Sequence, residues 1–328
     1  PLRALDSVLN QATAFFPTKP GLLFRRANIG GVDYKGAQFY TAKNPKVGVT
    51  FEWNTSSSAA NVKDNRPEAN ENLPHYPSLD QLREEDWEEK AYLLFEVTDS
   101  SGTPVARFTK NDSKGIQRYT WDGRISSTSS IRTNGEPVTE AYGTSFVMPG
   151  TYYISMHRST NGSLETLVDK HEFKVNHLYN YEGIDMAFNH SVDALNGRMN
   201  KVMAEFNDLN EELGQLRAGL RNTPGASMED LSTARSLDVQ LKEVGVLLKG
   251  DATRSKREFE TAPSAQNAVG LLAWGAFNHR GAPTGTMKQL KEDAEAMLAD
   301  AEKALAEIDE AMDALEAKAV EQGVPFWD

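Results

Sequence analysis

The chain has 328 residues, 39% of them hydrophobic, no cysteine and a formal net charge of −12. Lacking cysteine, it has no disulfide, thiolate nucleophile or Cys-based zinc site. Its acidity argues against nucleic acid or an anionic membrane surface as partner, because both need clustered Lys and Arg. The length suggests two domains, and no run of about 18 apolar residues is present to span a membrane.

In chain order, residues 1–36 read as a linker or packing segment. Leu5, Val8 and Leu9 have helical spacing, and Gly30-Gly31 and Gly36 mark loops. The chain begins at Pro1 without Met, and we read it as a fragment or processed product.

From 37 to 177 the period is that of strands. Short runs rich in β-branched and aromatic residues predict strands at Gln38–Ala42, Val47–Trp53, Ala91–Val97, Pro104–Thr109, Ile116–Trp121, Thr151–His157 and Leu167–Val175. Asp99-Ser100-Ser101-Gly102 and Asp122-Gly123 supply turns. Pro149-Gly150 suits a type II turn with glycine in the left-handed position. Seven strands at this spacing predict an Ig-like or fibronectin-like β-sandwich. A polar stretch at about 64–90 interrupts them as a helical insertion. Ser78 caps it, and Leu79, Leu82 and Trp87 form a short apolar stripe suited to covering a sheet edge or to meeting a partner.

Beyond residue 178 the period becomes helical. Phe188, Val192, Leu195, Met199, Val202, Phe206, Leu209, Leu213, Leu216 and Leu220 keep steps of four and three in register, a coiled-coil-type stripe. Three long helices are predicted at about 180–222, 227–250 and 286–322, with a loop and short helical pieces at 251–285. Their apolar faces predict a long antiparallel bundle. Between Met287 and Asp328 twelve acids stand against four lysines, the pattern of a solvated helix face.

No motif carries a reaction. His75, His157, His171, His177, His190 and His279 show no HExxH spacing, although His157 and His171 fall on adjacent predicted strands. Nucleophile-elbow, phosphate-loop, dinucleotide-binding and calcium-loop patterns do not occur. Acids are plentiful, but none is singled out as a glycosidase pair. Tyr40, Phe51, Trp53, Tyr119 and Tyr153 read as core aromatics rather than a sugar platform. Accordingly no catalytic, cofactor-binding or metal residue is assigned. Trp121 reads as a core anchor whose indole N–H seeks a carbonyl, and Asp122 as the acceptor that orders the next turn.

The stretch KGIQRYTWDGR followed by VMPGTYYISM resembles the FlgD-type Ig-like module, with Trp121, Asp122, Gly123, Arg124, Pro149, Gly150 and Tyr152 as the structural motif. The segments PLRALDSV, LFRRANIGG, GAQFYTAKNPKVGVTFEW, PSLDQLREEDWEEKAY, LLKGDATRSKREFE and VPFWD are similar to the C-terminal region of bacterial secreted sortilin-like, BNR-repeat glycosyl-hydrolase-like propeller proteins. Lys46 stands where that family has a second proline. The resemblance implies a secreted, periplasmic or envelope location and a non-catalytic accessory region that scaffolds an upstream propeller or another protein. No propeller Asp-box occurs in this chain to carry hydrolysis. Two alternatives are an adhesion or assembly protein oligomerising through its helices, and a carbohydrate-binding or glycoside-hydrolase-related protein.

Overall fold

The computed structural model describes residues 2–24, 44–65, 77–126, 145–178, 183, 185–279 and 281–325. They fall into two compact units. The first takes in Pro1–Ser126 and Phe146–Asn180, and the second is built on Tyr181–Asp328. The expected strand Gln38–Ala42 and the glycines at 30, 31 and 36 lie outside the described residues.

The first unit contains α1 (Leu5–Leu9), β1 (Thr13–Phe15), β2 (Gly21–Leu23), β3 (Val49–Thr55), α2 (Leu79–Trp87), β4 (Tyr92–Asp99), β5 (Pro104–Asn111), β6 (Gly115–Trp121), β7 (Gly150–Thr160) and β8 (Ser163–His177). Alternation drives the strands. Leu93, Phe95 and Val97 of β4 and Tyr152, Ile154 and Met156 of β7 point into the core, as a two-residue period requires. Asn161 and Gly162 both take positive φ between the paired Thr160 and Ser163. That two-residue turn matches strand twist and lets β7 and β8 run on as a long hairpin.

The strands make two sheets, β1-β3-β6 and β2-β8-β7-β4-β5. One core unites Phe51, Trp53, Trp121, Phe95, Ile154 and Phe173 from both. This corrects the expectation of an Ig-like or fibronectin-like sandwich. The larger sheet curls into a half-barrel, β2 runs parallel to β8, and pairing shifts register after Val97, Ile154 and Met156. Such shifts bend strands and raise twist. Within segment 1–36, expected as a linker or packing segment, β1 and β2 each join one of the sheets.

The second unit contains α3 (Met186–Asn222), α4 (Met228–Lys249), α5 (Ala252–Ser255), α6 (Ala265–Asn278) and α7 (Gly285–Glu321). Asp185, Ser227, Ser264 and Thr284 cap α3, α4, α6 and α7 by accepting backbone N–H groups. Gly250, at φ 93, ends α4. Val192 to Leu220 on α3, Leu237 to Leu248 on α4 and Ala294 to Ala319 on α7 bury their stripes in one core.

A long coiled-coil-type bundle of three helices is not what forms. The 14-residue α6, inside the stretch expected as loop with short helical pieces, buries Ala265, Ala268, Val269 and Leu272 in the same core. A step of four and three marks any helix with one buried face, so the stripe does not distinguish a supercoiled seam from a helix among unequal neighbours. The chain is thus mixed α and β, with two sheets and seven α-helices among the described residues.

Candidate functional site

The WDGR and PGTY segments meet at one corner of the first unit. Trp121 is buried, lies edge-on to Phe173 with centroids 6.2 Å apart, and donates its indole N–H to the Arg124 carbonyl at 3.1 Å. Asp122 accepts the Arg124 backbone N–H at 3.1 Å, and its other oxygen lies 3.4 Å from Arg124 Nε. The Arg124 guanidinium sits 4.4 Å over the Phe146 ring. Gly123 has φ 79, and a Cβ there would stand 2.3 Å from Leu23 Cδ2. Tyr152 donates its hydroxyl to the Met148 carbonyl at 2.8 Å, and burial raises its pKa, so it remains a donor. Each polar group is used to hold the corner.

Two expectations change at this corner and its hairpin. Gly150 is not left-handed; it opens β7, opposite Val175 of β8. The type II turn is replaced by a direct entry into the strand, anchored by the Tyr152 hydroxyl. His157 and His171 are held apart by the register, which places His157 opposite Thr166 and His171 opposite Ile154. His157 Nδ1 lies 3.0 Å from Thr166 Oγ1, whereas His171 stacks on Phe15 at 4.8 Å with its Nε2 3.0 Å from Thr18 Oγ1.

Three of the candidate aromatic platforms are also spent. Phe51 and Trp53 are core, and Tyr119 is covered by Phe108 at 4.6 Å and by Lys110 at 3.7 Å. Tyr40 lies outside the described residues. A 300 Å³ cavity opens on the outer face of β3 and β6, where Glu52 pairs with Arg118 and Lys19 forms the rim. Its opposing charges satisfy one another. Among the described residues no cluster of three or more His, Asp or Glu side chains is placed to hold a metal ion.

The feature with unspent binding capacity is α2. Its start is capped and its end is tied to neighbouring segments. Ser78 and Gln81 form a reciprocal capping box at the start. Beyond the C-terminus, both Glu88 oxygens accept the Val62 N–H, at 2.9 and 3.0 Å, and Asn161 accepts the Glu89 N–H at 3.0 Å. The preceding loop is pinned by Arg158, whose Nη2 donates to the Ser57 carbonyl at 2.6 Å and whose Nε lies 3.0 Å from Asp112. Asp112 in turn accepts the Ala59 N–H at 2.7 Å.

Among the described residues nothing buries this helix. It has no buried residue, and Leu79, Leu82 and Trp87 are 73%, 37% and 79% exposed. The expected cover for a sheet edge is instead a helix facing solvent. At about 100° per residue these three side chains lie within an arc of about 140°. From Leu79 to Lys90 six carboxylates stand against Arg83 and Lys90, and Arg83 is paired with Asp80 at 2.8 Å.

Among the described residues no helix is long and apolar enough to cross a membrane. No family model, curated protein or solved structure matches the chain. The likeness to propeller proteins therefore rests on the quoted motifs.

Proposed function

We propose that this chain is a non-catalytic interaction region that scaffolds a propeller domain or another protein of a bacterial secreted or envelope system, and that α2 is its contact helix. The observation that carries this reading is the exposure of Leu79, Leu82 and Trp87 on a helix capped at its start and tied to the unit at its end. A clamped helix loses little conformational freedom on docking, so more of the contact energy becomes affinity. Exposed Leu and Trp anchors are how an amphipathic helix enters an apolar groove. The surrounding carboxylates select a groove with a cationic rim and repel a second copy of the same acidic helix.

The test is a photoreactive phenylalanine in place of Trp87, activated in the native host, with the same residue in place of Leu164 as control. Leu164 is 59% exposed on β8. Position 87 is expected to capture one protein that position 164 does not. Purified, that protein should bind the unmodified chain, and Trp87→Ala should weaken binding by about 2 kcal/mol, roughly thirtyfold. Identical products at positions 87 and 164, or equal affinity for Trp87→Ala, would overturn the proposal.

A further inference from the structure

The open edge of the five-stranded sheet is a second unspent surface, and it is independent of α2. β5 is its outer strand, paired on one side with β4. The start of the other side is covered. The Val105 carbonyl accepts the Ser126 N–H at 3.0 Å, and the Arg107 N–H donates to Ser126 Oγ at 3.1 Å. Those two bonds show which backbone groups point away from β4. By the two-residue period of a strand, the N–H and C=O of Thr109 and Asn111 point the same way. Among the described residues no hydrogen bond reaches them from that side, and Arg107, Thr109 and Asn111 are exposed.

An open edge invites another strand, and proteins guard against this with charges, proline or a covering segment. Pro104 and Ser126 guard the start of β5. Beyond it, both cations of the strand are engaged within the chain. Arg107 pairs with Glu96 of β4, and the Lys110 ammonium lies 3.7 Å over the Tyr119 ring. The remaining run, Arg107 to Asn111, matches itself in antiparallel register. With a two-fold axis at Thr109, Thr109 faces Thr109, Arg107 faces Asn111 and Phe108 faces Lys110. No like charges stand directly opposite each other.

We infer that β5 pairs antiparallel with β5 of a second copy of this chain, joining two five-stranded sheets across a two-fold axis. Such an interface is self-complementary and closes, so association stops at the dimer. Each Thr109 exchanges N–H and C=O bonds with its counterpart, and the Asn111 N–H of each copy donates to the Arg107 carbonyl of the other. Ser126 keeps the Arg107 N–H and ends the ladder there. Symmetry supplies both strands in the matched register, which an unrelated peptide would have to provide by chance. The contact is short, so the dimer is weak. Each copy carries a net charge of −12, which opposes approach at low ionic strength and is screened as salt rises.

Sedimentation equilibrium of the whole chain, from about 10 µM to about 1 mM in about 0.15 M salt, should show a monomer–dimer equilibrium. Thr109→Pro removes an N–H that the fold does not use, at an outward edge position where proline is tolerated. It deletes two bonds of the dimer at once and should weaken association about tenfold or more. Thr109→Ala keeps the N–H and should weaken association by less than about fivefold. The chain has no cysteine, so Thr109→Cys is a single reporter. Directly opposed Cα atoms in such a pair stand about 5.5 Å apart, within disulfide reach. Oxidation should therefore link Thr109→Cys as a dimer and leave Leu164→Cys, at an exposed position of β8, monomeric. Circular dichroism checks that each variant is folded, and if proline disturbs the fold the cysteine pair decides. The equilibrium is read on the purified chain alone, so capture or loss of a partner at α2 has no bearing on it. A chain monomeric throughout, a dimer unaffected by Thr109→Pro, or equal linkage at positions 109 and 164 overturns the inference.

Discussion

Gly48 and Gly102 show how differently two positive-φ glycines can matter. Gly102 has φ 87 in the hairpin between β4 and β5, and a Cβ there meets nothing. Asp99 orders the same turn by accepting the N–H groups of Ser101 and Thr103. Gly48 has φ 110, and a Cβ there would lie 1.9 Å from the Trp121 carbonyl oxygen and 2.8 Å from Asp122 Cα. Backbone cannot rotate aside as a side chain can. Gly102→Ala should therefore cost about 1 kcal/mol of backbone strain. Gly48→Ala should cost more than about 4 kcal/mol or prevent folding of the first unit. Urea titration of the two variants decides between this and a common glycine penalty, which would give equal losses. Asp99 to Gly102 was legible as a turn because its cause is local. The role of Gly48 was hidden inside an expected strand, because its neighbour arrives from β6, far along the chain.

The helices present the same contrast at the level of elements. Caps and apolar stripes are local properties, and Ser78, Ser227, Leu195, Leu241 and Leu305 lie where spacing puts them. Which faces meet is a tertiary matter, so spacing shows only short helical pieces where the 14-residue α6 forms, and a coiled-coil-type bundle where unequal helices pack. The sheets behave alike. Three-residue β1 and β2 are too short to show a period, and β2 pairs with β8 in parallel, a partnership that no turn announces. Exposure was equally hidden. The Leu79–Trp87 stripe is readable, but its exposure is not, nor is that of Trp274 in a stretch read as loop with short helical pieces.

One polar cluster ties elements that spacing alone would not pair. Asp238 of α4 lies 2.9 Å from Arg217 of α3 and 2.7 Å from Lys242, and it also pairs with Arg235. Burial pushes its pKa up, but the three cations outweigh that and hold it below the usual aspartate range. Arg217 has a side chain only 22% exposed, whereas that of Lys242 is 64% exposed. Asp238→Asn strands the more buried cation and should cost about 2 kcal/mol. Lys242→Ala should cost under about 1 kcal/mol. Chemical denaturation followed at 222 nm reads both values, and equal losses would mean that Arg217 finds another partner or enough water.

Across the whole molecule, the two units should respond to acid in opposite order of sensitivity. In the first unit burial lowers the pKa of His171, with Glu172 opposing, and of His177, with its bond to Val147 opposing. His171 faces the Phe15 ring and the Thr18 hydroxyl. Its neutral form is favoured in the fold, so the unfolded chain binds a proton first as pH falls. Stability is therefore complete above the ordinary histidine range and declines as pH drops through it toward the lowered folded value. The second unit has the reverse balance. Asp238 and Glu302 hold depressed pKa values, Glu302 through its bonds to Arg198, so their contribution persists until pH falls below the ordinary carboxylate range. Burial, with Asp309 and Glu302 nearby, raises Glu205, so mild acid relieves that group. Melting followed at 222 nm reports the helices, and near-ultraviolet signal from buried Trp53 and Trp121 reports the sheets. From about pH 7 to about pH 5.5 the near-ultraviolet transition should move to lower temperature while the helical one holds or rises. His171→Phe keeps an aromatic ring against Phe15 and should flatten the first response. A helical transition that moves first, or an unchanged slope in His171→Phe, would assign the acid sensitivity elsewhere.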